Sequence, residues 1–160
     1  VFAAGDHDRN FYVWGAMGGA AMIGLGLALA QPKVPVMVIT GDGEQLMGLG
    51  SIATIGVTKP ANLMLVVLDN SHYGETGMQA SHRGLGVNLP EIARNCGFGW
   101  CAAVSNMEGV NDLRQRAHTL TGTGFATVAI AATDNPRALP SRDGAYIKTR
   151  VRSALGLTMI

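Results

Sequence analysis

Two oxygen-bearing side chains stand 28 positions apart in this chain, each at the end of an apolar run. Asp42 lies between Gly41 and Gly43 and follows VPVMVIT at 34–40, while Asn70 follows NLMLVVLD at 62–69. A carboxylate, an amide oxygen and a backbone carbonyl from the following turn would make half an octahedron of hard ligands. Mg²⁺ suits such a set, because it keeps waters or substrate phosphates in its other positions. Gly43 and Glu44 open a predicted helix, and the unpaired N–H groups of a helix start favour a phosphate. Glycine at 41 and 43 lets that phosphate reach the backbone. The residues suit a metal-bridged diphosphate. Taken singly, Asp42 could instead cap the helix and Asn70 could start a turn.

The elements that must hold these groups follow from the apolar pattern. Residues 34–40 and 62–69 are unbroken apolar strands of the kind found inside parallel sheets. NFYVWG (10–15) predicts a short buried strand, and GGAAMIGLGLALAQ (18–31) a buried helix stopped by Pro32. Helices are expected over 44–57, 89–95, 109–120 and 145–155, strands over 100–104 and 125–131, and a long polar loop over 70–88. Strands alternating with helices give an α/β fold, a doubly wound and mostly parallel sheet with helices on both faces. Such sheets bind ligands outside the carboxyl ends of their strands. Asp42, Asn70 and the loop at 71–83 all fall on that edge. Residues 1–160 read as a single domain, and a first strand and helix of the usual unit are expected to be missing from it.

Composition narrows the function classes. Hydrophobic residues make up 48% and charged residues 14%, which implies a face buried against other protein. A net charge of +1 argues against nucleic acid, which calls for a basic stripe. The apolar glycine-rich stretch at 16–31 falls short of the roughly 20 residues of a membrane span, and a cytoplasmic protein is expected. Cys96 and Cys101 form a lone C-x4-C with no second pair of ligands, so two reduced, half-buried thiols are expected rather than zinc. The 22 glycines, many inside apolar segments, let backbones approach one another or a ligand.

GDG, 26 intervening residues and then Asn resembles the diphosphate-binding motif of thiamine diphosphate enzymes. The text MGGAAMIGLGLALA…VITGDGEQLMGLGSIATI…NLMLVVLDNSHYGETG is similar above all to the sulfopyruvate and phosphonopyruvate decarboxylases, in the former to their β subunits. The motif differs from dinucleotide and P-loop glycine patterns, neither of which follows the strand at 34–40. The resemblance implies that thiamine diphosphate and Mg²⁺ are bound. Asp42 and Asn70 would ligate the metal by side chain and His72 by its backbone carbonyl. Gly41, Gly43 and Glu44 would serve the diphosphate through backbone groups, with the Glu44 side chain turned outward. Gly15 would meet the aminopyrimidine by main chain, and Met17 would prop the bent cofactor, where ordinary core packing is the plainer role. Glu44 departs from the serine of many decarboxylases, and Asp69 from a second asparagine.

The same resemblance implies decarboxylation of a small anionic 2-oxoacid to an aldehyde. His72 and His82 are the candidate catalytic groups, and Gln79 and Arg83 the candidates to meet the substrate's anionic tail. The family's activating glutamate comes from a pyrimidine-binding domain, and none of Glu44, Glu75, Glu91 and Glu108 has such a setting. A pyrimidine-binding partner subunit is therefore expected to supply it, in an α/β hetero-oligomer. A large apolar interface formed partly by residues 15–29 is expected with it. Carboligation of the acetolactate synthase type and a non-catalytic diphosphate-binding module are the alternatives.

Overall fold

The computed structural model describes residues 1–133 and 136–157. The chain divides into two compact units, Met17–Ala132 and a smaller one made of Val1–Ala16 and Thr133–Ile160.

The larger unit is built in the order α1 (Ala20–Ala30), β1 (Val36–Gly41), α2 (Asp42–Met47), α3 (Gly50–Thr58), β2 (Leu63–Asp69), β3 (His72–Tyr73), β4 (Gln79–Ala80), α4 (Leu89–Asn95), β5 (Trp100–Val104), α5 (Met107–His118) and β6 (Gly124–Ala129). Four strands form one parallel sheet in the order β1-β2-β6-β5. Helices cover it on both sides. Ala21, Leu25, Ile52, Ile55, Leu89 and Ala93 from α1, α3 and α4 pack with Val36, Val38, Leu63, Leu65, Val67 and Phe125. On the other face Leu113 and Ala117 of α5 meet Met64, Val66 and Ala126. The parallel α/β sheet with helices on both faces is thus present.

β2 is buried almost throughout, as its unbroken apolar run requires. β1 differs, because it is the sheet's edge and α5 lies over β2 and β6. Val36 and Val38 are buried while Met37 and Ile39 are exposed. The all-apolar helix α1 is also only half covered: Ala21, Gly24, Leu25 and Ala28 are buried, and Met22, Ile23 and Leu29 are not. Gly24 is where α1 crosses β1, since a Cβ there would sit 2.2 Å from Val38 Cγ2.

The helix expected over 44–57 is two helices. At Gly48 the backbone meets that of Gly18, and a Cβ on Gly48 would lie 2.2 Å from the Gly18 carbonyl oxygen. α2 therefore stops at Met47, with Gly48 as its C-cap, and α3 restarts at Gly50. The expected loop at 70–88 contains a two-stranded antiparallel ribbon, β3 with β4. Asn62 ties the far end of α1 to β1, its Nδ2 donating to the carbonyls of Ala28, Gln31 and Val34 at 3.2, 2.9 and 2.8 Å.

In the smaller unit the strand expected at 10–15 does not form. Phe11, Val13 and Trp14 are exposed, and the Asn10 carbonyl accepts from Arg150 Nη2 at 2.9 Å instead of a neighbouring strand. The aromatic rings are held by arginines: Arg142 lies over Trp14 and Arg150 over Tyr12. A final helix α6 (Gly144–Ala154) is capped by Asp143, whose carboxylate accepts from Ala145 and Tyr146 N–H.

Cys96 and Cys101 are free and half-buried, as expected. Burial pushes the Cys101 thiol above its ordinary range, which keeps it protonated. Among the described residues no helix is long and apolar enough to cross a membrane.

Candidate functional site

Gly41 ends β1 level with Leu68 of β2, in a parallel register. Asp42 and Asn70 therefore follow at the carboxyl ends of two adjacent strands, as the sequence requires. Asp42 does not cap the helix it opens. The N-cap of α2 is Gly41, which offers no side chain, so the first N–H groups of α2 carry no side-chain cap. Asp42 is 2% exposed, and its Oδ2 accepts from the hydroxyl of Ser81 at 2.5 Å. Its Oδ1 has no donor among the described residues.

Asn70 Oδ1 accepts from the His72 N–H at 3.0 Å, the turn-forming bond open to any asparagine here. One lone pair of that oxygen is left over. The His72 ring nitrogen Nδ1 lies 2.8 Å from the Asn70 carbonyl oxygen, which can only accept. Nδ1 therefore carries the proton in the neutral ring, and Nε2 is left as the acceptor. His82 Nδ1 is 2.5 Å from the Tyr73 hydroxyl in an exposed pair.

The loop is staked at both ends by the two acids. Ser71 donates from its N–H and its hydroxyl to Asp69 Oδ1, at 2.9 and 3.1 Å. Ser81 N–H donates to the Ser71 carbonyl at 2.9 Å, and its hydroxyl reaches Asp42. Arg83 Nε sits 2.7 Å from Asp69 Oδ2, an ion contact without hydrogen-bond alignment. The terminal nitrogens of Arg83 have no hydrogen bond among the described residues. Gln79 is exposed and bound to Thr76, donating to its carbonyl and accepting from its hydroxyl. The ring of Tyr73 closes on the GDG turn, where a Cβ on Gly43 would meet Cδ1 at 2.9 Å.

Glu44 is a correction. Its side chain is not turned outward: Oε1 accepts from the N–H groups of Gly18 and Ala20 at 2.9 and 3.1 Å, and Oε2 from the Thr40 hydroxyl at 2.5 Å. Unfilled donors at the start of α1 draw the carboxylate in. Met17, directly before that turn, is 54% exposed and so is not a core residue. Gly15 belongs to the smaller unit and has a left-handed φ of 67°.

Asp42, Gly43, Glu44, Asn70, His72, His82 and Arg83 thus share one rim of the larger unit. Ser81 was not legible beforehand; a lone serine in a polar loop carries no signal until the fold buries it. Among the described residues no cluster of three His, Cys, Asp or Glu side chains is placed to hold a metal. A metal here would draw on amide and backbone oxygens as well as Asp42. A concavity of about 280 Å³ lined by Trp100, Arg116 and Gly124 opens instead by the amino ends of β5 and β6, away from these groups.

The family model for the thiamine pyrophosphate enzyme, C-terminal TPP binding domain, matches residues 4–130. The chain belongs to that family. As a TPP-binding domain it is 55% identical over 93 residues to sulfopyruvate decarboxylase subunit beta of Methanocaldococcus jannaschii, covering 58% of this chain and 49% of the relative. It is 40% identical over 130 residues to phosphonopyruvate decarboxylase of Streptomyces viridochromogenes, covering 81% and 32%. The chain therefore spans about half the length of the first relative and a third of the second. The fold is shared with the thiamine diphosphate-dependent 4-hydroxybenzoylformate decarboxylase of Rhodococcus jostii, with a TM-score of 0.62 at 18% identity, covering 74% of this chain and 24% of that one.

Proposed function

We propose that this chain is the diphosphate-binding half of a thiamine diphosphate-dependent 2-oxoacid decarboxylase acting on a sulfopyruvate- or phosphonopyruvate-like substrate. The observation that carries the proposal is the pairing of Asp42 with Asn70 at the ends of adjacent parallel strands, beside a helix start with no side-chain cap. Residues 1–160 act in it as one diphosphate-binding domain.

The residues fit the implied groups. Asp42 Oδ1, the open lone pair of Asn70 Oδ1 and the His72 carbonyl would hold Mg²⁺. The N–H groups of Gly43 and Glu44, with Gly41 ahead of them, would hold the diphosphate. Met17, exposed beside this turn, would support the cofactor. When bound, the cofactor supplies the electron sink that lets a 2-oxoacid lose CO₂.

The chain's own groups bind and orient the substrate. The terminal nitrogens of Arg83 meet the anionic tail, while its Nε side keeps the ion contact with Asp69. Gln79 lies on the same ribbon and adds a neutral hydrogen bond. His72 Nε2 and the His82–Tyr73 pair hold or move protons at the rim. The activating glutamate comes from a pyrimidine-binding partner subunit, and the assembly is an α/β hetero-oligomer. The exposed apolar side of α1 supports a protein-covered surface there.

The test is reconstitution. Alone, the chain releases no CO₂ from sulfopyruvate, phosphonopyruvate or pyruvate; with its partner it does, and a glutamine in place of the partner's activating glutamate abolishes release. Tight cofactor binding with no CO₂ from any of these acids would point to carboligation or a non-catalytic module.

A further inference from the structure

We propose that Glu44 is a positioning residue whose carboxylate holds the Met17 turn in fixed register with the GDG backbone, so that the organic and the diphosphate ends of the cofactor are met together. The inference rests on the functional reading above. Glu44 adds a negative charge beside a backbone meant for an anion, which opposes phosphate binding unless the carboxylate is otherwise engaged. It is engaged by three donors: Gly18 N–H, Ala20 N–H and the Thr40 hydroxyl.

Those bonds join distant parts of the chain. The N-cap of α1 is Gly19, which has no side chain to satisfy the helix start, and a residue 24 positions after Ala20 does so instead. The turn is gripped again at the other end of α2, where Gly18 touches the Gly48 backbone. With φ at +89°, Gly18 holds a conformation that suits glycine, so the turn has one shape and two anchors. Met17 precedes it directly and projects toward solvent rather than the core. The position of Met17 relative to the Gly43 and Glu44 N–H groups is thus set through the Glu44 side chain.

The test compares two ligands on the same protein. Dissociation constants for Mg²⁺–thiamine diphosphate and for Mg²⁺–pyrophosphate are measured calorimetrically on the wild-type chain, Glu44→Ala, Glu44→Asp and Glu44→Gln. Wild type prefers thiamine diphosphate. Glu44→Ala and Glu44→Asp lose that preference by roughly tenfold or more, the scale of lost supporting contacts, with pyrophosphate affinity largely kept. Glu44→Gln retains an acceptor for both N–H groups and a donor for Thr40, and restores the preference. Should the alanine variant not fold, the aspartate and glutamine pair decides the matter. Equal losses for both ligands, or an unchanged preference, would overturn the register and leave Glu44 as a helix cap. A wild-type chain with no preference overturns it too. A wild-type chain that binds neither ligand contradicts the functional reading itself, and this inference with it.

Discussion

The Ser81 hydroxyl donates to Asp42 Oδ2 across 2.5 Å, joining two buried residues 39 positions apart. With Ser71 bound to Asp69, it fastens the ribbon of β3 and β4 over the strand ends, and the acid that would hold the metal also holds the loop that would meet the substrate.

Ser81→Ala leaves the buried Asp42 carboxylate without its described donor. We expect a loss of about 1–3 kcal/mol of stability, the cost of an unsatisfied buried group, and Mg²⁺-dependent cofactor affinity about 10–100-fold weaker. Urea denaturation and titration calorimetry check the two effects; a variant unchanged in both would remove Ser81 from the site.

Arg83 is asked to do two things, to neutralise Asp69 and to meet an anionic tail. Its side chain is 31% exposed, so solvent screens the Asp69 contact, and a double-mutant cycle with Asp69→Asn should give a coupling of about 1–2 kcal/mol. In the reconstituted enzyme Arg83→Ala should raise KM for sulfonate or phosphonate substrates more than for pyruvate. Equal losses would confine Arg83 to its ion pair.

Asn62 feeds one amide nitrogen to three carbonyls. Asn62→Ala removes all of them and should cost about 1–3 kcal/mol. Asn62→Asp should cost more, because a carboxylate oxygen would then face those carbonyls. Thermal melts of the two variants give the order, and the reverse order would contradict it.

In the smaller unit the Arg150 guanidinium, bonded to Asp6 Oδ2 at 2.7 Å, holds the Asp6 carboxyl below the ordinary carboxylate range, aided by the Tyr12 hydroxyl. A carboxyl depressed in the folded state adds stability above its unfolded value, near 4. That contribution disappears as pH falls through the folded value. The carboxyl carbon of Asp6 should titrate below the ordinary aspartate value by NMR, and Asp6→Asn should melt earlier than wild type at pH 7 but not once that titration is complete. A midpoint at or above the ordinary value would refute the pairing.

The central strands and the positions of Asp42 and Asn70 were legible because an unbroken apolar run and its polar end are local features of the text. What failed depended on remote partners. NFYVWG has strand composition, but a strand needs a neighbour, and Arg150 occupies the Asn10 carbonyl. The break at Gly48 arises from contact with Gly18, thirty residues away, which no helix pattern records. In the sequence Glu44 shows only a charge near a phosphate, which points its side chain outward; the uncapped start of α1 at Ala20 that draws it in lies 24 residues away. The open face of β1 follows from its place at the sheet edge, and strand order cannot be read from hydrophobicity.

The central claim is that this chain holds thiamine diphosphate through a metal bound at Asp42 and Asn70. Calorimetric titration with thiamine diphosphate, in Mg²⁺ and in chelator, tests it most directly. We expect binding in Mg²⁺ that disappears in chelator, is lost in Asp42→Ala, is severely weakened in Asp42→Asn and is more mildly reduced in Asn70→Ala, where a neutral oxygen is lost rather than a charge. Full affinity in chelator, or in Asp42→Ala, would contradict the account.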